Sequence, residues 1–155
     1  MESIFSAVRE LAERHGDITV IYPVHSAPEV RQAAKKILGS TQNVKLIEPL
    51  DALDMRLLLS RSYFVMTDSG GLQEEAPALG KPVLLLRRET ERPEAVEAGT
   101  VKLTGVRRDD IIRDAEMLLN DPAAYERMAN AVNPYGDGHA AERIADAIIE
   151  HFKNT

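Results

Sequence analysis

The stretch that most limits what this chain can fold into is Thr67 to Pro82, Thr-Asp-Ser-Gly-Gly-Leu-Gln-Glu-Glu-Ala-Pro-Ala-Leu-Gly-Lys-Pro. Short apolar runs flank it, Tyr63-Phe64-Val65-Met66 before and Val83-Leu84-Leu85-Leu86 after, each of the length and composition of a strand buried on both faces. Strands joined across such a distance run parallel, so the segment reads as strand, loop, helix, strand. Ser69-Gly70-Gly71 falls where the first strand ends and the helix begins. Free N–H groups and the positive end of the helix dipole suit an anion there, and glycines put no Cβ between a phosphate and the backbone. Glu74 and Glu75 come about one turn later. A phosphate repels a carboxylate, but a ribose diol donates to one, as in dinucleotide-binding folds. The same residues also fit a plain turn and cap, since acids are favourable in any first helical turn. Spacing alone does not decide which glutamate would hold a sugar.

The rest of the chain repeats the alternation. Ile4, Phe5, Val8, Leu11 and Ala12 recur at helical spacing up to Gly16. Ile18-Thr19-Val20-Ile21-Tyr22 reads as a buried strand stopped by Pro23, and His25 lies just beyond its carboxyl end, the rim where open parallel sheets bind ligands. A helix is expected over Pro28–Leu38, a strand over Val44–Ile47, and a helix from Pro49 and Asp51 whose Leu53, Met55, Leu57 and Leu58 imply burial on more than one side. Pro77 should bend or shorten the helix it falls in. After the strand at 83–86 come a charged loop from Arg87 to Pro93, one helical turn at Glu94–Ala98 and a strand at Thr100–Leu103. Helices are expected next around Ile111–Leu119, Ala123–Ala131 and Ala140–Phe152, with a loop at Asn133–Gly138. Five strands alternating with helices imply an α/β fold, a Rossmann-like parallel sheet with helices on both faces.

The length, 155 residues, fits a single domain spanning 1–155. A net charge of −6 argues against nucleic acid as a partner. The absence of cysteine removes disulfides and thiolate chemistry and agrees with a cytoplasmic location. No apolar run is long enough to cross a membrane, and Met1-Glu2-Ser3 lacks the basic start of a signal peptide. No histidine and carboxylate spacing suits a metal. His15 and His151 are expected to face solvent at helix ends, and His139 has no evident partner.

Taken in order, Tyr22-Pro23-Val24-His25, the 67–83 block, Thr90-Glu91-Arg92-Pro93-Glu94, Glu97-Ala98-Gly99-Thr100 and Asn133-Pro134-Tyr135-Gly136-Asp137-Gly138 resemble the bacterial non-hydrolysing UDP-N-acetylglucosamine 2-epimerases over nearly the whole chain. The resemblance implies one half, the carboxyl-terminal one, of a glycosyltransferase-B type fold. It also implies an isomerase that interconverts UDP-GlcNAc and UDP-ManNAc through elimination and return of UDP, with no cofactor. Ser69, Gly70 and Gly71 would then hold the diphosphate and Glu75 the ribose, leaving Glu74 a structural acid. Arg92 would offer phosphate a planar fork, its plain alternative being a surface ion pair with Glu91 or Glu94. His25 would touch substrate without transferring a proton.

The acid/base carboxylates of the family belong to the amino-terminal half, so no catalytic residue is assigned, and the family's His-Arg-Arg-Glu segment is absent. Arg88-Glu89 stands where the family usually has Asp-Thr. The partners implied are UDP or a UDP-N-acetylhexosamine and the missing amino-terminal domain. A terminal helix that crosses to that domain would expose Ile148, Ile149 and Phe152 without it and favour a homodimer. A stand-alone UDP-sugar binding module and the donor half of a glycosyltransferase are the alternative readings.

Overall fold

A computed structural model describes residues 1–153. The chain runs α1 (Glu2–Arg14), β1 (Val20–Pro23), α2 (Pro28–Leu38), β2 (Val44–Ile47), α3 (Ala52–Arg61), β3 (Val65–Thr67) and α4 (Leu72–Glu75). A 3-10 turn (Pro77–Leu79) leads to β4 (Val83–Leu85), α5 (Pro93–Glu97), β5 (Val101–Leu103), α6 (Arg108–Asn120), α7 (Pro122–Ala129) and α8 (Ala140–Lys153). Pro77, which cannot donate, ends α4 after four residues, and Gly80 in the left-handed region (φ 68°) turns the chain into β4. Asp51 caps α3 by accepting from Asp54 N, and Asp121 caps α7 through Ala123 N and Ala124 N.

The strands pair in parallel, as expected, but in two ladders rather than one sheet: β1 with β2, and β3–β4–β5 with β4 in the middle. The amides of Val20 and Val24 point to β2, so alternation turns residues 21 and 23 to the opposite edge, where Pro23 has no N–H to give. The two ladders still share one interior. Met66 of β3 touches the cluster of Leu84, Leu86, Ile111 and Leu118 as well as that of Phe5, Val24, Ala34 and Leu38. β4 is wholly buried, while β1 is only half-buried, with Ile21 exposed.

α1 lies against α2 on one side and α6 on the other, and a side-chain hydrogen bond joins the second pair. His15 Nε2 sits 3.0 Å from Glu116 Oε2, so His15 is half-buried rather than facing solvent. Asp114 of α6, also buried, is reached by Lys102 Nζ from β5 at 3.1 Å and by Arg113 Nε at 3.0 Å. The expectation of heavy burial around α3 is overturned. Of its leucines only Leu59 reaches the core, whereas Leu53 is 81% and Leu57 50% exposed, because the described residues provide no layer beyond it. α8 starts at Ala140 as expected and runs one residue past the expected Phe152, but buries no residue. No helix among the described residues is long and apolar enough to cross a membrane.

Candidate functional site

β3 delivers the chain to the rim at Thr67, and a local hydrogen bond shapes the turn beyond it. The Thr67 hydroxyl accepts from Ser69 N at 3.0 Å. This corrects the picture of three bare amides: Ser69 has spent its N–H and offers its exposed hydroxyl instead. The amides of Gly70, Gly71, Leu72 and Gln73 find no acceptor among the described residues, as expected of a helix start. Because α4 is only four residues long, what it presents is this cluster of donors rather than a large dipole.

The charged loop after β4 folds back over the tip. A Cβ built on Gly70 would lie 3.1 Å from Arg92 Nη1 and 3.1 Å from Glu91 Oε1, so the guanidinium sits directly against a backbone that has no side chain. Arg92 Nε donates to Glu74 Oε1 at 2.5 Å and Nη1 to Glu91 Oε1 at 3.1 Å, while Arg87 Nη1 donates to Glu91 Oε2 at 2.6 Å. Four alternating charges, Arg87, Glu91, Arg92 and Glu74, therefore run across the rim. The bond to Glu74 holds the Arg92 guanidinium above its ordinary pKa. Glu91 is held below the usual carboxylate range by its own backbone amide first and by Arg87 second.

The two glutamates separate clearly. Glu74 is the acid that ties Arg92 down, in agreement with its expected structural role. Glu75 is exposed and makes no ion pair among the described residues, and its Oε1 lies 3.5 Å from where a Cβ on Gly71 would stand. The structure thus brings Gly70, Gly71, Glu75 and Arg92 together, with Ser69 Oγ beside them. Arg92 is ion-paired, as its plain reading has it, with Glu91 and with Glu74 rather than Glu94.

His25 sits apart from this cluster. It is exposed past the end of β1, and its Nδ1 accepts from Ala27 N at 3.2 Å, which places the ring proton on Nε2, free toward solvent. The rims of β1 and β3 are nonetheless neighbours: burial first and the Asp68 carboxylate second raise the pKa of Tyr22. His139, for which the sequence named no partner, lies 2.9 Å from Glu142 Oε2.

Sequence reasoning missed Gln73 and Thr90. Gln73 is fully buried, donating from Nε2 to Ser69 O at 3.3 Å and accepting at Oε1 from Thr90 Oγ1 at 3.0 Å. Thr90 Oγ1 in turn accepts from Arg92 N at 3.1 Å. A glutamine beside two glutamates gives no sign of burial in the sequence. The loop residue Tyr135 closes the far side, resting on the cluster of Leu59, Val65 and Val83. Burial, then Glu94, raise its phenol pKa, yet its hydroxyl has no partner within bonding geometry among the described residues. Two broad surface depressions lie elsewhere, along β2 and its flanking loops.

An α/β domain of parallel strands with a glycine-lined rim of free amides is the architecture of nucleotide-binding halves. The family model for UDP-N-acetylglucosamine 2-epimerase matches residues 1–149. The UDP-N-acetylglucosamine 2-epimerase of Bacillus subtilis is 51% identical over 152 residues, 98% of this chain and 40% of that protein. Among solved structures, an S. aureus protein with UDP superposes with a TM-score of 0.91 at 49% identity, covering 98% of this chain and 42% of its own. The UDP-GlcNAc 2-epimerase of Neisseria meningitidis bound to UDP-GlcNAc gives 0.89 at 46% identity, covering 96% and 40%. The chain belongs to the UDP-N-acetylglucosamine 2-epimerase family and spans about two fifths of the length of these relatives.

Proposed function

We propose that residues 1–155 form the carboxyl-terminal, nucleotide-holding half of an enzyme that interconverts UDP-GlcNAc and UDP-ManNAc in the cytoplasm. The observation that carries this is the convergence, in a chain of this family, of the free amides of Gly70 and Gly71, the Arg92 guanidinium against them and the unpaired Glu75 beside them. The amides and the Ser69 hydroxyl donate to the diphosphate oxygens, and Arg92 adds charge to the same oxygens. Glu75 accepts from the ribose diol, and His25, with its Nε2 proton, donates to substrate from the neighbouring rim.

In the reaction the C2 proton leaves, the C1–O bond to UDP breaks, and a glycal with a C1=C2 double bond remains. UDP then re-forms its bond to C1 while a proton is delivered to the opposite face of C2. Between these steps UDP is a free leaving group, so its escape must be slower than its return. Holding it there is the task assigned to this half, whereas the proton transfers fall to groups outside the chain. α8 and the exposed face of α3 are where the amino-terminal domain would sit, and in its absence two copies associate through α8.

Titration of the chain with UDP, monitored by amide NMR, tests this reading. Shifts should concentrate at Ser69–Gly71 and Arg92 and weaken strongly in Glu75→Ala, and saturating UDP that leaves those signals unmoved would overturn it. The chain alone should not convert UDP-GlcNAc to UDP-ManNAc. Turnover would show that the acid/base groups lie within these residues.

A further inference from the structure

We infer that Gln73 is a positioning residue, whose buried carboxamide holds the Gly70–Gly71 tip and the Arg92 loop in one fixed relation so that amides and guanidinium address the same diphosphate. This rests on the reading of that rim as a nucleotide seat. The direction of every bond in the relay is fixed by chemistry. Ser69 O can only accept, so the carboxamide must turn its NH2 toward it and its oxygen toward Thr90. Thr90 Oγ1 already accepts from the Arg92 backbone N–H, so its own hydrogen is the one given to Gln73 Oε1. The result is a continuous path from the Ser69 carbonyl through Gln73 and Thr90 to the Arg92 amide.

The path does what the surface ion pairs of Arg92 cannot. Glu74 and Glu91 restrain the guanidinium, but both are partly exposed, and solvent-exposed pairs are worth little. Gln73 has 0% exposure, so neither end of its carboxamide can turn to water if a partner is lost. A buried polar link of this kind fixes geometry more firmly than its net energy suggests, because every alternative arrangement leaves a donor or acceptor unsatisfied. The neighbouring side chain, Glu74, then sets the orientation of the guanidinium on a backbone already placed. Such placement matters for diphosphate recognition, since donors already held in the binding geometry need not be ordered when the ligand arrives.

The test uses the isotope-labelled chain as wild type, Gln73→Met, Thr90→Val, the double variant, Thr90→Ser and Glu75→Ala. Before any nucleotide is added, the amide signals of Ser69–Gly71 and of Arg92 should move together in Gln73→Met and in Thr90→Val and stay put in Thr90→Ser. On titration, the UDP dissociation constant should rise about tenfold in each of the first two, and the double variant should be no worse than either, because both break one path. Thr90→Ser, which keeps the hydroxyl, should bind as wild type does, a rescue that a purely space-filling role for Thr90 would not give. Glu75→Ala should lose affinity without moving the Arg92 amide.

If Gln73→Met fails to fold, Thr90→Val cuts the same path from its half-buried end and carries the test. UDP binding within twofold of wild type in the relay variants, or additive losses in the double variant, would overturn the inference while leaving the nucleotide seat intact. Failure of wild type to bind UDP would instead sink the seat, and with it the positioning role.

Discussion

Gln73 at the rim is wholly buried and bonded at both ends of its carboxamide, whereas α8 has no buried residue among its 14 and turns Ile144, Ile148, Ile149 and Phe152 to solvent. α1, at the other end of the sequence, has the same kind of apolar stripe and buries Phe5, Ala7, Val8, Leu11 and Ala12. Amphipathic periodicity therefore establishes that a helix has a face to cover, and says nothing of whether the cover belongs to the same chain. The rim shows the converse. Its polar groups look suited to a surface in the sequence, yet one of them is the joint on which the surface depends. One region is complete within these residues, and the other is left uncovered by them.

The largest expected effect marks the completed side. Leu84 is fully buried in the central strand β4 and belongs to the cluster beneath the rim. Leu84→Ala should cost about 2–5 kcal/mol, read as a fall in the urea midpoint with little change in slope. A loss below about 1 kcal/mol would mean that the ladder β3–β4–β5 does not carry the interior assigned to it.

Glu75→Ala comes next and separates binding from folding. Because Glu75 is exposed and makes no ion pair among the described residues, its removal should leave the thermal midpoint within a degree or so and weaken UDP binding about tenfold, equivalent to about 1.4 kcal/mol. The control is Glu74→Ala, which releases Arg92 and should also lower affinity while shifting the Arg92 side-chain signal. Equal behaviour of the two variants in that signal would erase the distinction between the binding acid and the structural one.

Much of this was legible in advance, for identifiable reasons. α2 and β2 fall on their expected bounds because Pro28 and Gly39 punctuate the helix and a short, mostly apolar run, Val44-Lys45-Leu46-Ile47, follows. Pro77 shortens its helix for the reason given by its missing donor. The convergence of Arg92 on Gly70 was legible only as family resemblance, since nothing local ties residues 22 positions apart. What could not be read was tertiary. The exposure of Leu53 and Leu57 depends on no described element packing over that face of α3, and the break between β1 and β3 depends on which edge Pro23 happens to face. The burial of Gln73 depends on Thr90 arriving from another loop.

A smaller effect tests how α1 is fastened where α8 is not. Glu116 lies under the end of α1, and its hydrogen bond to His15, ahead of those from Asn120 and Arg14, lowers its pKa from 4.5. A carboxyl lowered on folding contributes stability that is present above its unfolded pKa and lost as pH falls through the folded value. Wild type should therefore exceed Glu116→Gln by less than about 1 kcal/mol near neutrality, and the two should converge as pH falls below the ordinary carboxylate range. A difference that persists undiminished in acid would assign the contact to packing rather than to charge.

The smallest expected change in stability sharpens the comparison most. In α8, Ile148→Ser with Phe152→Ser removes apolar surface that no described residue covers, so the urea midpoint should move by no more than about 0.5 kcal/mol. Self-association is where the pair should register: sedimentation of wild type at high concentration should show dimer, and the variant monomer. Two exposed isoleucines, Ile144 and Ile149, remain in the variant, so a residual weak association is compatible with the argument and an unchanged dimer is not. A loss of several kcal/mol would mean that α8 rests on this domain after all, and the contrast with α1 would disappear. If instead stability holds and the dimer dissolves, the stripe is an interface that folding of these residues does not use, as expected of a helix made to cover another part of a longer protein.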